Sequence, residues 1–391
     1  MIKPKSRGWQ WSALVAIAFV AGAACGGNTS SSGTAGKTIK IGFVYPLSGT
    51  AAIYGQRAKE AAAIALDEVN APGYLPNGMK IDALFEDSKA DPQAAVSAGQ
   101  LLAERDNVDV LVPDTSSDTL AMLPLGPEYK IPLVNALASA RQITQQGNKY
   151  IFRIIPTETQ QNLFLADYLS KSLDKPSVVI GYETSDQGVG QMQAFSAQWT
   201  KDGGRVLDTV GWDPNTTDFS SLATRLISKH PQLIYAATAI TPMVELVKAL
   251  QEQGNQATVT STVWLAYPTF EQLAGTAANG HIRLLFWMAS TDPSAGAQTV
   301  NFTKKFEQRY GKEPDYNHAQ VYDTIKLIAD AIKRGGHDRA SILAALRATK
   351  NYQGLMGPIS FDQSGQVVLT PKSMTIIKTV DGKAVVLKQN P

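Results

Sequence analysis

Cysteine is almost missing from this chain. Cys25 is the single one in 391 residues, so no intrachain disulfide can form. Histidine is sparse as well. His230, His281, His318 and His337 lie far apart, and no HExxH, CxxC or GxSxG occurs. Local signatures for zinc hydrolysis, thiol redox chemistry and nucleophilic acyl transfer are therefore lacking, and the chain is expected not to be an enzyme. Gly188-Val189-Gly190 lacks the third glycine of a dinucleotide fingerprint. Gly33–Thr38 ends like a phosphate loop, but Ser31 holds the required first-glycine position and no strand precedes it. No cofactor and no metal are expected. Charge is also scarce: 18% of residues are charged and the net charge is +2, which leaves no basic footprint for nucleic acid.

An apolar run long enough to span a bilayer is likewise wanting near the start. Lys3, Lys5 and Arg7 precede Ala13–Ala24, a small apolar stretch of the length of a signal-peptide core. Residues 1–24 therefore read as a signal peptide, and their removal leaves a mature net charge of −1. Residues 25–37, with their NTSSSGTAG run, read as a flexible linker. The placement of Cys25 after Gly22-Ala23-Ala24 resembles a bacterial lipobox, although Gly22 stands where an aliphatic residue is usual. The resemblance implies a lipid on Cys25 and an extracytoplasmic body anchored to the cell membrane; plain secretion with a free thiol is the alternative.

What the chain has in quantity is alternation. Ile39, Ile41, Phe43 and Val44 form a short run of strand character that ends at Pro46. Ser48–Gly49 supply turn chemistry, and Ala58, Ala62, Ala65 and Val69 then follow at helical spacing. Strand patterns recur at Met79–Phe85, Val108–Val112, Ile131–Val134 and Tyr150–Ile155. Between them lie a helix opened by Asp91-Pro92 and a helix over 117–129. This rhythm predicts a parallel sheet with helices on both faces. The same architecture begins again with helix 158–172, strand Val178–Gly181, helix 189–201 and strand Val206–Trp212. It continues through a helix capped by Asp218, strand Leu233–Ala236, a helix opened by Thr241-Pro242, and strands Val259–Val263 and Ile282–Trp287. Helices over 302–310, 317–333 and 338–349 follow. Short strands come last at Ile359–Phe361, Met374–Thr379 and Ala384–Leu387, with Asp381-Gly382 as a hairpin turn. A length of 391 residues with 44% apolar content suits two lobes. In such sheets ligands sit outside the carboxyl ends of the strands, which makes the loop Tyr45–Tyr54 a first candidate surface.

Several segments in order resemble the solute-binding proteins of bacterial ABC importers, in the branch of the leucine/isoleucine/valine-binding proteins. They are IGFVYPLSG with Tyr54-Gly55, ALDEVNAPG at 65–73, EDSKADPQAAVSAGQLL at 86–102, Val110–Ser117, YIFRIIPTE at 150–158, GWDPNTTDFSSL at 211–222 and GPISFDQSGQVV at 357–368. The resemblance implies an α/β fold of two Rossmann-like lobes, parallel sheets flanked by helices, joined by a three-segment hinge near 155–157, 288–291 and 354–357. The N-terminal lobe would comprise 38–156 and 289–355, and the other lobe 157–288 and 356–391. A small organic solute would be clamped between them and delivered to a membrane permease and its ATPase. The implied solute is a branched-chain or other amino acid, a hydrophobic or aromatic carboxylate, or an amide. The chain would act as a monomer; a signalling module of the same fold is the alternative.

The resemblance also implies a site. Ser116, with Ser117, falls where the family's ligand-binding serine lies, and Leu137-Ala138-Ser139 matches the next ligand loop. Tyr54 matches an aromatic over the ligand side chain, and Asn317 or Tyr316 a further wall. Gln187-Gly188 stands where amino-acid binders often have Tyr-Gly. Val263-Trp264 stands where an acid should meet the ligand ammonium; Trp264 would face the ligand or belong to the core, and unless another acid serves, the ligand would have no ammonium. Glu183 or Asp186 could replace the missing acid, since an ammonium buried without a counter-charge costs several kcal/mol.

Overall fold

The computed structural model describes residues 36–173, 177–262, 265, 267–369 and 374–389. The signal-peptide reading, Cys25, nearly all of the linker, and Val263-Trp264 lie outside the described residues.

The first sheet contains β1 (Thr38–Tyr45), β2 (Lys80–Asp87), β3 (Val110–Pro113), β4 (Leu133–Asn135) and β5 (Ile151–Arg153), in the order β2-β1-β3-β4-β5. All its pairings are parallel. β1 is covered on both faces, which is why it reads as an almost unbroken apolar run. Ile39, Ile41 and Phe43 enter one core cluster and Val44 another. Helix Ala52–Val69 lays Ala58, Ala62, Ala65 and Val69 on the first face. Helix Pro92–Glu104 lays Ala95, Ala98 and Leu102 on the other. Asp91 caps that helix, its side chain accepting from Ala94 N, with Pro92 in the first turn.

The second sheet repeats the pattern. β6 (Ser177–Glu183), β7 (Arg205–Trp212), β8 (Leu233–Ala237), β9 (Thr258–Ser261) and β10 (Ile282–Leu285) run parallel in the order β7-β6-β8-β9-β10, the same order as in the first sheet. After an antiparallel ribbon of β11 (Tyr352–Gly354) and β12 (Gly357–Ile359), the hairpin β13 (Thr375–Val380) and β14 (Lys383–Gln389) extends this sheet antiparallel beside β10. Helices Ala297–Tyr310, Tyr316–Lys333 and Arg339–Arg347 follow β10 in sequence yet pack into the core around β1, through Phe302, Ile325, Ile328 and Leu346. The chain therefore passes between the lobes three times.

Some local readings need correction. The helix expected over 117–129 is two helices, Ser116–Met122 and Leu125–Tyr129, because Pro124 cannot continue the first. Asp218 does not cap the following helix in the ordinary way: Phe219 is its N-cap, and Asp218 Oδ1 takes the N–H of Ser220 at 3.0 Å. The helix expected from 189 begins at Asp186, capped by Ser185, so Asp186 and Gln187 lie in its first turn. Helices Gln142–Gln145 and Thr269–Ala274 and strand β11 are too short to leave a periodic signal.

Candidate functional site

In each sheet the strand order reverses between its first and third strands, β1 and β3 in one and β6 and β8 in the other. The loops leaving those strands part there and open a crevice. The two crevices face each other across one cavity of about 590 Å³. After β1 come Ser48, Thr50, Ala51, Ile53 and Tyr54; after β3 come Asp114, Thr115, Ser116 and Ser117. From the other lobe Glu183 ends β6 and Ser185 and Gln187 follow it, while Ala239, Ile240 and Thr241 follow β8. Leu137, Phe219 and Tyr316 complete much of the apolar wall.

One glycine in each lobe stands behind the cavity wall. A Cβ on Gly55 would stand 2.3 Å from Pro46 O, and one on Gly188 2.1 Å from Glu183 O. Each lobe thus lets a helix start press directly on the backbone leaving its first strand. The residue just before each glycine, Tyr54 or Gln187, is delivered to the cavity.

Ser116 is buried and its Oγ accepts from Ala140 N at 3.3 Å. Thr115, and neither serine, caps the helix, accepting from Asp118 N at 3.1 Å. That helix has only seven residues, so its dipole adds little and the hydroxyls carry the polarity. Ser117 Oγ donates across the cleft to Asp186 Oδ2 at 3.0 Å. Leu137 lines the cavity, whereas Ala138 and Ser139 are wholly buried beside it and are not lining residues. Ser139 Oγ instead accepts from Gln187 Nε2 and Gln191 Nε2 of the other lobe, both at 3.4 Å.

Tyr316, not Asn317, is the cavity-lining residue of its pair. Asp315 caps their helix, so Asn317 is not the cap. The Asn317 side-chain oxygen and nitrogen are buried and unpartnered among the described residues. Burial raises the Tyr54 hydroxyl to about 12, with Arg57 opposing and Asp114 and Glu183 reinforcing. Glu183 is also raised, by burial, while bonds from Ser185, Thr238 and Ala239 N pull it back. Glu183 is therefore occupied in tying the β6 and β8 loops together. Asp114 is raised well above the carboxylate range by burial and by the like charge of Asp118. Asp114 and the loop Pro214–Thr217 also line the cavity, although no motif in the sequence assigns either a role. Among the described residues no group of three or more His, Cys, Asp or Glu is placed to hold a metal ion. No helix among them is long and apolar enough to cross a membrane.

Two α/β lobes of one strand order, facing each other across a cavity at their switch points, define a two-lobed solute clamp. The chain belongs to the periplasmic binding protein family, whose model matches residues 38–383. It is 26% identical over 352 residues to the Leu/Ile/Val-binding protein homolog 3 of Brucella melitensis, covering 90% of this chain and 94% of that one. Its fold matches the branched-chain amino acid transporter substrate binding protein LivJ of Streptococcus pneumoniae, solved in complex with isoleucine. There the TM-score is 0.81 and the identity 26%, over 90% of this chain and 99% of that one. A solute binding protein of R. palustris, solved in complex with benzoate, matches with a TM-score of 0.82 at 22% identity, over 90% and 96% of the two chains.

Proposed function

We propose that this chain is the extracytoplasmic receptor of an ABC importer, capturing one small organic solute by closure of its lobes and presenting it to a membrane permease. The observation that carries this reading is the cavity of about 590 Å³ lined from both lobes. A solute held there loses water on every side at once, and contacts from the second lobe reward closure. The lobe division at 38–156 with 289–355 against 157–288 with 356–391 belongs to the same proposal. So do a monomeric state, the absence of catalysis, and a lipid on Cys25 that would hold the body at the cell membrane through about 0.8 kcal/mol per buried CH₂. Ser116, Ser117, Tyr54, Leu137 and Gln187 are proposed to touch the solute. Ala138, Ser139 and Asn317 are proposed to support them from behind.

The solute class is drawn from amino acids, as in the isoleucine complex, and aromatic acids, as in the benzoate complex. The test is a thermal-shift screen of the purified protein with amino acids, aromatic carboxylates and amides. A true ligand raises the melting temperature in a concentration-dependent way, and Gln187→Ala and Ser116→Ala reduce the shift. A screen in which no small solute moves the melting temperature contradicts the proposal.

A further inference from the structure

Four acids stand around the cavity, and their partners differ. Glu183 Oε1 accepts from Ser185 Oγ at 2.7 Å, and its Oε2 accepts from Thr238 Oγ1 at 2.9 Å and Ala239 N at 3.2 Å. Asp186 is exposed at the rim and holds Ser117. Glu245 is exposed and stands 3.6 Å from Lys248 Nζ. Asp114 is different. It is fully buried, it lines the cavity, and both its carboxylate oxygens are unpartnered among the described residues. Among the described lining residues it alone combines these properties.

Among the described residues nothing nearby compensates it. The neighbouring charge that acts on it is that of Asp118, of the same sign. Lys89, the basic residue among the described lining residues, is exposed on the loop after β2. A buried carboxylate with no donor is costly and stays neutral until a partner arrives. Two acceptor oxygens and a missing positive charge are the complement of an ammonium group. A carboxylate brought to the same spot supplies neither the N–H donors nor the positive charge that would offset ionisation of Asp114. The neighbouring serines fit the rest of such a solute. Ser116 is two residues further on, and its bond to Ala140 N leaves its hydroxyl proton unspent. An α-amino acid carries its ammonium and carboxylate on one carbon, so a single small molecule can span Asp114 and Ser116.

The geometry points to Asp114 as the specificity-determining counter-ion of the site: the solute carries an ammonium whose N–H groups Asp114 accepts, and a bare carboxylate is rejected. This places the charge partner in the first lobe, not in the second at Val263-Trp264. The inference rests on the proposed solute-binding reading of the cleft.

The experiment is calorimetric titration of the purified protein with matched solutes. L-leucine and isoamylamine are compared with isovalerate, and L-phenylalanine and benzylamine with benzoate. Polyols, sugars and nucleosides serve as unrelated solutes. At least one ammonium compound is expected to bind, at least about tenfold more tightly than the carboxylate of the same skeleton. Asp114→Asn is expected to remove that advantage while melting no lower than the parent, since it deletes a buried unpaired acid. Isovalerate or benzoate binding as tightly as its ammonium partner overturns the inference, and so does ammonium binding that survives in a folded Asp114→Asn protein. Binding confined to the unrelated solutes overturns it too, but leaves the solute-binding reading standing. No binding by any compound removes both. The wild-type comparison decides even if the variant fails to fold.

Discussion

Arg57 Nε stands 2.9 Å from Asp315 Oδ2, with both side chains almost wholly buried. Asp315 does more than hold this guanidinium. It caps helix Tyr316–Lys333, which carries Tyr316 to the cavity, and its Oδ2 accepts from Thr269 Oγ1 of the other lobe at 3.1 Å. Asp315→Ala leaves Arg57 charged, buried and alone. We predict a loss of about 3–5 kcal/mol of folding stability, measured by urea denaturation. A loss below about 1 kcal/mol would mean that solvent reaches the pair.

The same carboxylate sets up a pH dependence through His318. The imidazole lies between Asp315 Oδ1 at 2.8 Å and Glu60 Oε2 at 3.1 Å. Burial opposes its charge, but the two carboxylates outweigh burial and raise its pKa, with Arg57 opposing. A raised folded value stabilises the protein fully below the unfolded value of about 6.5, and that contribution is lost as pH rises through the folded value. Wild type should therefore exceed His318→Gln in stability by more at about pH 6 than at about pH 9. Glu60 behaves oppositely. Burial raises it, but bonds from His318, Lys312 and Gln56 prevail and lower it to about 2. Its contribution is present above the unfolded carboxylate value and fades as pH falls toward 2. Urea midpoints across pH for the two variants, Glu60→Gln being the second, check both signs.

Gly55 and Gly188 should be intolerant for a steric reason. Gly55→Ala and Gly188→Ala drive a methyl into a backbone carbonyl, and each should cost about 1–3 kcal/mol. Each should also weaken solute binding by moving Tyr54 or Gln187. Gly190→Ala, in the same helix as Gly188, is the control. Its Cβ would meet nothing nearer than Glu158 Oε1 at 3.4 Å, so the helix should hold or gain up to about 1 kcal/mol. Equal losses at Gly188 and Gly190 would refute the packing argument.

The bond from Ser117 to Asp186 lies at the rim and spans the lobes. Ser117→Ala should lower global stability by less than about 1 kcal/mol. Its effect should appear instead in solute affinity, since the bond joins the two lobes across the cleft. Paired melting and titration curves separate the two. A large drop in melting temperature with unchanged affinity would show that the bond supports one lobe alone.

Much of this fold could be read in the chain because its signals are local. Apolar runs marked the buried parallel strands, Asp91-Pro92 marked a helix start, and alanine spacing marked the face of Ala52–Val69. The split at Pro124 was legible in principle and was overridden by helical spacing on either side. The β13–β14 hairpin could be seen as a hairpin, but its place beside β10 depends on contacts distant in sequence. The site divides in the same way. The strand-end rule pointed to the loop that carries Tyr54, whereas Ser116 and Gln187 were implied by the family resemblance. Tyr316 and Asn317 could not be told apart, because the choice turns on the phase of a helix start. Asp114 stood in plain view between Pro113 and Thr115, but that it is buried without a partner is a property of the assembled lobe.

The central claim is that one small solute is held between the lobes, and a crystal structure of the protein with the tightest-binding solute of the screen tests it most directly. The account predicts density for that solute in the cavity, touched by Ser116 from one lobe and Gln187 from the other, with its nitrogen on Asp114. Density for the solute outside the cleft, or contact with one lobe only, would contradict it.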